Sequence, residues 1–123
     1  MKRISVFLSI VALTLSSLAC WRMNRPELAF TPADLPEARM GISYDVEIQV
    51  SQNETPVYSF YVSEGTLPQG LIFEFDESAH EDKARIRGAP EESGTFTFKV
   101  VARCLGTNVS GQIGEWEYTL VVK

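Results

Sequence analysis

The chain has 123 residues, 45% of them hydrophobic and 22% charged, with a formal net charge of −5. That is globular composition for one domain, and it excludes a disordered tail, a collagenous repeat and a many-span membrane protein. The acidic balance excludes a binder that works by neutralising nucleic-acid phosphates, and two cysteines are too few for a disulfide scaffold.

Lys2 and Arg3 precede an uncharged apolar run, Ile4 to Ala19, that ends at Cys20. A basic start, an apolar stretch and small residues before a break define a secretory signal over residues 1–19, outside the fold. The run falls short of the roughly 20 residues that cross a bilayer comfortably. Including Cys20 and Trp21 would lengthen it, so an uncleaved anchor is the rival reading. Ser17-Leu18-Ala19-Cys20 resembles a bacterial lipobox, in which cleavage leaves a lipid-modified N-terminal cysteine. Ser17 and Leu18 reverse the usual order, an aliphatic residue followed by a small one. The resemblance implies lipidation at Cys20, with acyl chains burying many CH₂ groups at about 0.8 kcal/mol each. Trp21 stands where lipoproteins retained in the inner membrane carry Asp, so the same resemblance implies the outer membrane. Residues 20–26 read as a lipidated tether without periodicity. Loss of Lys2 and Arg3 leaves the remaining domain more acidic, which would hold it off an anionic membrane surface.

From residue 27 to 123, alternation at period two dominates and no helical pattern stands out. The segment Leu28 to Phe30 supplies a first edge strand. Tyr44, Val46, Ile48 and Val50 alternate with Ser43, Asp45, Glu47 and Gln49. Tyr58, Phe60 and Val62 form the next apolar set, and Leu71, Phe73 and Phe75 another. Ala84 and Ile86 sit between Arg85 and Arg87. Phe96, Phe98, Val100, Ala102 and Cys104 share one face, as do Trp116, Tyr118, Leu120 and Val122. Strands with one apolar and one polar face predict an all-β, seven-stranded sandwich of two antiparallel sheets.

The turns agree. Leu67-Pro68-Gln69-Gly70 carries a type I signature, and Gly65 suits positive φ on entering it. Gly88-Ala89-Pro90 ends one strand and Ser93-Gly94 opens the next. Residues 106–114 form a Gly-rich loop between the last two strands.

In chain order stand Gly41-Ile42-Ser43-Tyr44, Thr55-Pro56-Val57-Tyr58-Ser59-Phe60, Gly65-Thr66-Leu67-Pro68-Gln69-Gly70-Leu71, Gly88-Ala89-Pro90 and Ser93-Gly94-Thr95-Phe96-Thr97-Phe98. Together they resemble the immunoglobulin-like domain of bacterial surface and extracellular proteins, a relative of cadherin-like modules. The resemblance covers residues 38–104 and implies an immunoglobulin-like β-sandwich. Ala89 stands where that family usually has Thr, and Cys104 near where it often has an acidic residue. The second departure weakens any calcium site imported from the cadherin-like relatives.

Candidate chemistry is sparse. Asp76, Glu81 and Asp82, in the densest acidic cluster, are the only candidate calcium ligands. They lack an alternating Asp register and the Gly of a sharp turn, so a solvated loop is expected and no metal is assigned. His80 is the single histidine, and no nucleophile elbow or phosphate loop is present. No catalytic residue and no cofactor are expected. Cys104 shares the parity of Phe96 to Ala102, which predicts a buried thiol; pairing between chains is the alternative. Val109 and Ile113 are aliphatic groups in the last loop with no evident core to enter.

The expectation is a lipid-anchored protein of the bacterial envelope whose domain binds or supports without catalysis. Its partners would be the membrane, through the N-terminal lipid, and an envelope protein at Val109 and Ile113, a glycan being the alternative, with no nucleic acid. The competing reading is an enzyme accessory that uses the acidic 74–82 loop, with bound calcium.

Overall fold

The computed structural model describes residues 25–123; the expected signal segment 1–19, Cys20 and the expected tether up to residue 24 lie outside them. The strands are β1 (Ala29–Thr31), β2 (Tyr44–Ser51), β3 (Val57–Gly65), β4 (Leu71–Glu74), β5 (Lys83–Gly88), β6 (Gly94–Cys104) and β7 (Ile113–Val122). Every strand pairing is antiparallel, in a four-stranded sheet β1-β2-β5-β4 and a three-stranded sheet β3-β6-β7. That division of seven strands is the constant-type immunoglobulin arrangement. The sandwich expected from the alternation is therefore the fold. Among the described residues no helix is long and apolar enough to cross a membrane.

The facing sides of the sheets fill the interior. Ile48, Val50, Ala84 and Ile86 oppose Phe60, Phe98, Val100, Ala102, Tyr118 and Leu120. Phe60 meets Phe73 and Phe75 edge-on at 5.3 and 6.1 Å between ring centroids, a geometry that aromatic quadrupoles favour. The buried thiol of Cys104 joins this core, and burial raises its pKa. That placement fits the predicted core cysteine and opposes pairing between chains.

The segment between β1 and β2 changes sheets. Ala38 bridges Val122 in parallel, with Ala38 N–H donating to Val121 O and Lys123 N–H to Ala38 O, both at 2.9 Å. This closes the seam along the edge of β7. Two buried tyrosines hold the crossing: Tyr118 Oη donates to Pro32 O and Tyr44 Oη to Pro36 O, each at 2.8 Å.

Burial pushes the Tyr44 phenol up to about 12 and raises that of Tyr118 further, with Asp34 adding to the second shift. Their contribution to stability is complete below pH 10, where unfolded tyrosines keep their protons. Above it the unfolded chain ionises first, so the contribution is lost as pH rises toward 12. A pH series of denaturant melts should show stability falling through this window, and Tyr118→Phe should make the fall shallower.

Three local expectations differ from the structure. The register of β3 shifts between Val57 and Ser59, so one extra residue turns Val57 into the core and Tyr58 out to solvent. The Pro68 turn is displaced by one residue: Leu71 N–H donates to Pro68 O and Gly70 takes φ +94°. Gly at the third position with positive φ makes it a type II turn, not type I. Finally, β7 begins at Ile113, so the last loop spans 105–112 instead of 106–114.

Candidate functional site

Register brings four parts of the chain to one end of the sandwich. Ala29 pairs with Ser51, Gln49 with Lys83, Val57 with Cys104 and Arg103 with Ile113. The loops 52–56, 75–82 and 105–112 therefore surround the entry of the chain at Arg25.

One side chain ties them together. Gln112 is only 8% exposed. Its Oε1 accepts from Glu54 N–H at 2.8 Å, while Nε2 donates to Pro26 O at 2.8 Å and Gln52 O at 3.1 Å. Every hydrogen-bonding group of the amide that faces the loops is used. Arg25 adds bonds from Nε and Nη2 to Glu54 Oε2 at 2.9 and 2.6 Å, and from Nη1 to Ser110 O. Arg25 and Pro26, read from sequence as tether, are thus fastened to the domain. Sequence reasoning missed Gln112 because a lone Gln in a Gly-rich loop gives no sign of which backbones will surround it.

The two candidate binding residues of this region part company. Val109 stands at the loop tip, 57% exposed. Ile113 is 63% exposed but belongs to β7, opposite Arg103 on the outer face of the three-stranded sheet. That face carries the second candidate surface. Tyr61 pairs with Val101, and Arg103 Nε donates to Tyr61 Oη at 3.4 Å. The hydrogen bond that Arg103 gives to Tyr61 leads, with Tyr58 also contributing, in raising the Arg103 pKa. Val101 is 7% exposed yet outside the main core cluster, so on this face it lies beneath its neighbours. Tyr58, Tyr61, Arg103 and Ile113 therefore form an aromatic, cationic and aliphatic patch. Parity with Phe60 and Cys104 turns Tyr61 and Arg103 outward; Tyr58 follows only from the bulge.

The acidic loop is put to other uses. Asp76 Oδ1 accepts from Ser78 N–H and Oγ, which hold its carboxyl below the usual range. Asp82 Oδ1 accepts from Val57 N–H at 2.9 Å, fixing the loop to the start of β3. Glu81 pairs with Lys83 at 3.3 Å. Asp76, Glu81 and Asp82 do not converge on a common point, and a chelator is expected to leave the melting temperature unchanged. His80, at the loop tip with φ +49°, is exposed. The outward cations pair as their abundance of carboxylate neighbours suggests: Arg85 with Asp45, Arg87 with Glu74 and Lys99 with Glu64, at 3.0, 3.0 and 3.5 Å. Such exposed pairs add little stability.

The sheet order and packing define an immunoglobulin-like β-sandwich. No protein-family model and no curated protein matches the chain. Among solved structures it is similar to an adhesin, SrpA, from Streptococcus sanguinis, at 14% identity and a TM-score of 0.57. The match covers 83% of this chain and 59% of the adhesin's. A variant of the same adhesin matches at 11% identity and a TM-score of 0.54, over 82% and 57% of the two chains. The titin M3 domain matches at 18% identity and 0.49, over 78% and 96%. The chain thus spans under two thirds of the adhesin's length, and the likeness is one of fold.

Proposed function

We propose that this protein is a lipid-anchored component of the bacterial envelope whose immunoglobulin-like domain binds a protein partner without catalysis. The observation that carries this reading is the Tyr58–Tyr61–Arg103–Ile113 patch on the outer face of β3-β6-β7. Tyrosine and arginine dominate the energetically important positions of protein interfaces, because they combine large apolar area with directed hydrogen bonds. Glycan recognition is less well served, since Arg103 is already engaged by Tyr61. The strand edge of β3 is a poorer docking site: register shifts at Val57/Ser59 and Val62/Glu64 interrupt the row of groups an added strand would need. The Cys20 lipobox supports the anchor, and Trp21 after it supports the outer membrane as address.

One experiment tests both halves. The full chain is expressed in envelopes with a photo-crosslinker at Ile113, alone or with Tyr61→Ala and Arg103→Ala. Loss of the two side chains should lower recovery of the cross-linked partner tenfold or more; unchanged recovery would overturn this surface. In parallel, Cys20→Ser should abolish palmitate incorporation and processing. A Cys20→Ser chain that is still acylated would overturn the anchor.

A further inference from the structure

The end of the sandwich that receives the chain has a fixed identity. Loops 52–56, 75–82 and 105–112 are there, whereas Tyr44 and Leu71 pair with Gly88, and Gly94 with Val122, at the opposite end. The eleven residues of β6 separate the two ends by about 33 Å at the usual rise per residue. Arg25 is not a loose lead-in, because its guanidinium is held by Glu54 and Ser110 and the next carbonyl, Pro26 O, by Gln112.

The chain preceding Arg25 therefore departs from beside the 105–112 loop. Cys20 lies five residues earlier, a stretch that covers at most about 18 Å when fully extended. That reach is shorter than the sandwich. Resting on the reading of Cys20 as the lipid anchor, we infer that the 52–56, 75–82 and 105–112 end faces the bilayer. Val109 then meets the lipid headgroup layer.

Charge decides which lipid surface this end fits. Asp76 and Glu77 are exposed there, while Arg25 is paired with Glu54, and Lys83 with Glu47 and Glu81. These two carboxylates outweigh Arg103, a cation near this end that is hydrogen-bonded to a neutral phenol, so the end is not drawn to anionic headgroups. The exposed aliphatic tip at Val109 suits a zwitterionic interface. In this orientation the Tyr58–Tyr61–Arg103 face runs up the side of the domain, and the turn at Pro68–Leu71 points away from the membrane.

The test uses the lipidated full chain in phosphatidylcholine vesicles that carry a nitroxide on the headgroup. A fluorophore is attached through Val109→Cys or, at the distal turn, Gln69→Cys; buried Cys104 is shielded from labelling. Quenching at position 109 should exceed that at 69 at least threefold. Arg25→Ala should bring the ratio toward one, because it frees the entry segment. Equal quenching at both positions in chains that float with the vesicles overturns the orientation and leaves the anchor standing. Chains that fail to float overturn the lipid anchor and the orientation with it. A ratio unaffected by Arg25→Ala overturns the role of the Arg25 fastening.

Discussion

Gly88→Ala is expected to lower the melting temperature by roughly 12–30 °C. Gly88 has φ +132°, a region that residues with a Cβ essentially do not occupy, at a cost of about 1–3 kcal/mol. A Cβ there would also overlap the carbonyl oxygen of Gly70. That carbonyl cannot retreat. Leu71 pairs with Gly88, Leu71 N–H donates to Pro68 O, Glu91 N–H donates to Gln69 O at 2.8 Å, and Pro68 and Pro90 are fully buried. Strain and overlap together amount to about 3–4 kcal/mol, and each kcal/mol moves the midpoint of a domain this size by about 4–8 °C. Gly41→Ala provides the comparison: φ is +71°, but no atom lies within 4 Å of the added methyl. It should cost only the left-handed backbone penalty, about 1–2 kcal/mol. Thermal melts followed by circular dichroism separate the two, and near-equal losses would mean that the overlap with Gly70 contributes nothing.

The same contact explains why two motifs far apart in sequence occur together. A Cβ on Gly70 would overlap Ala89 O, just as one on Gly88 would overlap Gly70 O. The Gly65–Leu71 block and the Gly88–Pro90 block are two halves of one backbone crossing. Their spacing was legible in the sequence, but the crossing was not.

Alternation placed β2, β6 and β7 correctly because nothing interrupts their parity, from Tyr44 to Val50 or Phe98 to Cys104. It failed at Tyr58 because a period-two count assumes that no residue is inserted, and β3 inserts one. Trp116 shows a milder limit. Its parity is right, yet it is half exposed, stacked on Phe30 at 6.4 Å with Nε1 donating to Ala33 O, because it sits at the margin of the sandwich. The candidate surfaces were less legible still. Exposure of Val109 and Ile113 followed from the lack of a core for them to enter, but assigning one to a loop tip and the other to a sheet face required the register of β6 with β7.

Gln112→Ala should be strongly damaging for a loop substitution, about 2–3 kcal/mol, or roughly 8–24 °C in melting temperature. The truncation strands Glu54 N–H, Pro26 O and Gln52 O around a space that alanine cannot fill with a polar atom. Backbone groups left unpaired away from bulk water cost more than the net gain of forming their bonds. Water admitted from the loop side offsets part of this cost, which is why the figure stays below the sum for three lost partners. Gln112→Glu should recover little: a carboxylate can still accept from Glu54 N–H but meets the Pro26 and Gln52 carbonyl oxygens without a donor. Val109→Ala, at the exposed tip of the same loop, should stay within about 0.5 kcal/mol of the unaltered chain. The contrast matters for any attempt to remove the loop. Shortening residues 107–112 to a two-residue turn would delete Gln112 and unfasten Arg25 and Pro26, so lost binding could not be told from lost structure. Removing only 107–110 keeps Gly111 and Gln112, and with them the bond from Cys104 N–H to Gln112 O at 2.9 Å. Faster hydrogen exchange at Glu54 N–H in Gln112→Ala would report the unfastening directly. A midpoint within about 2 °C of the unaltered chain, with exchange at Glu54 unchanged, would mean that the amide is not what holds the loops together.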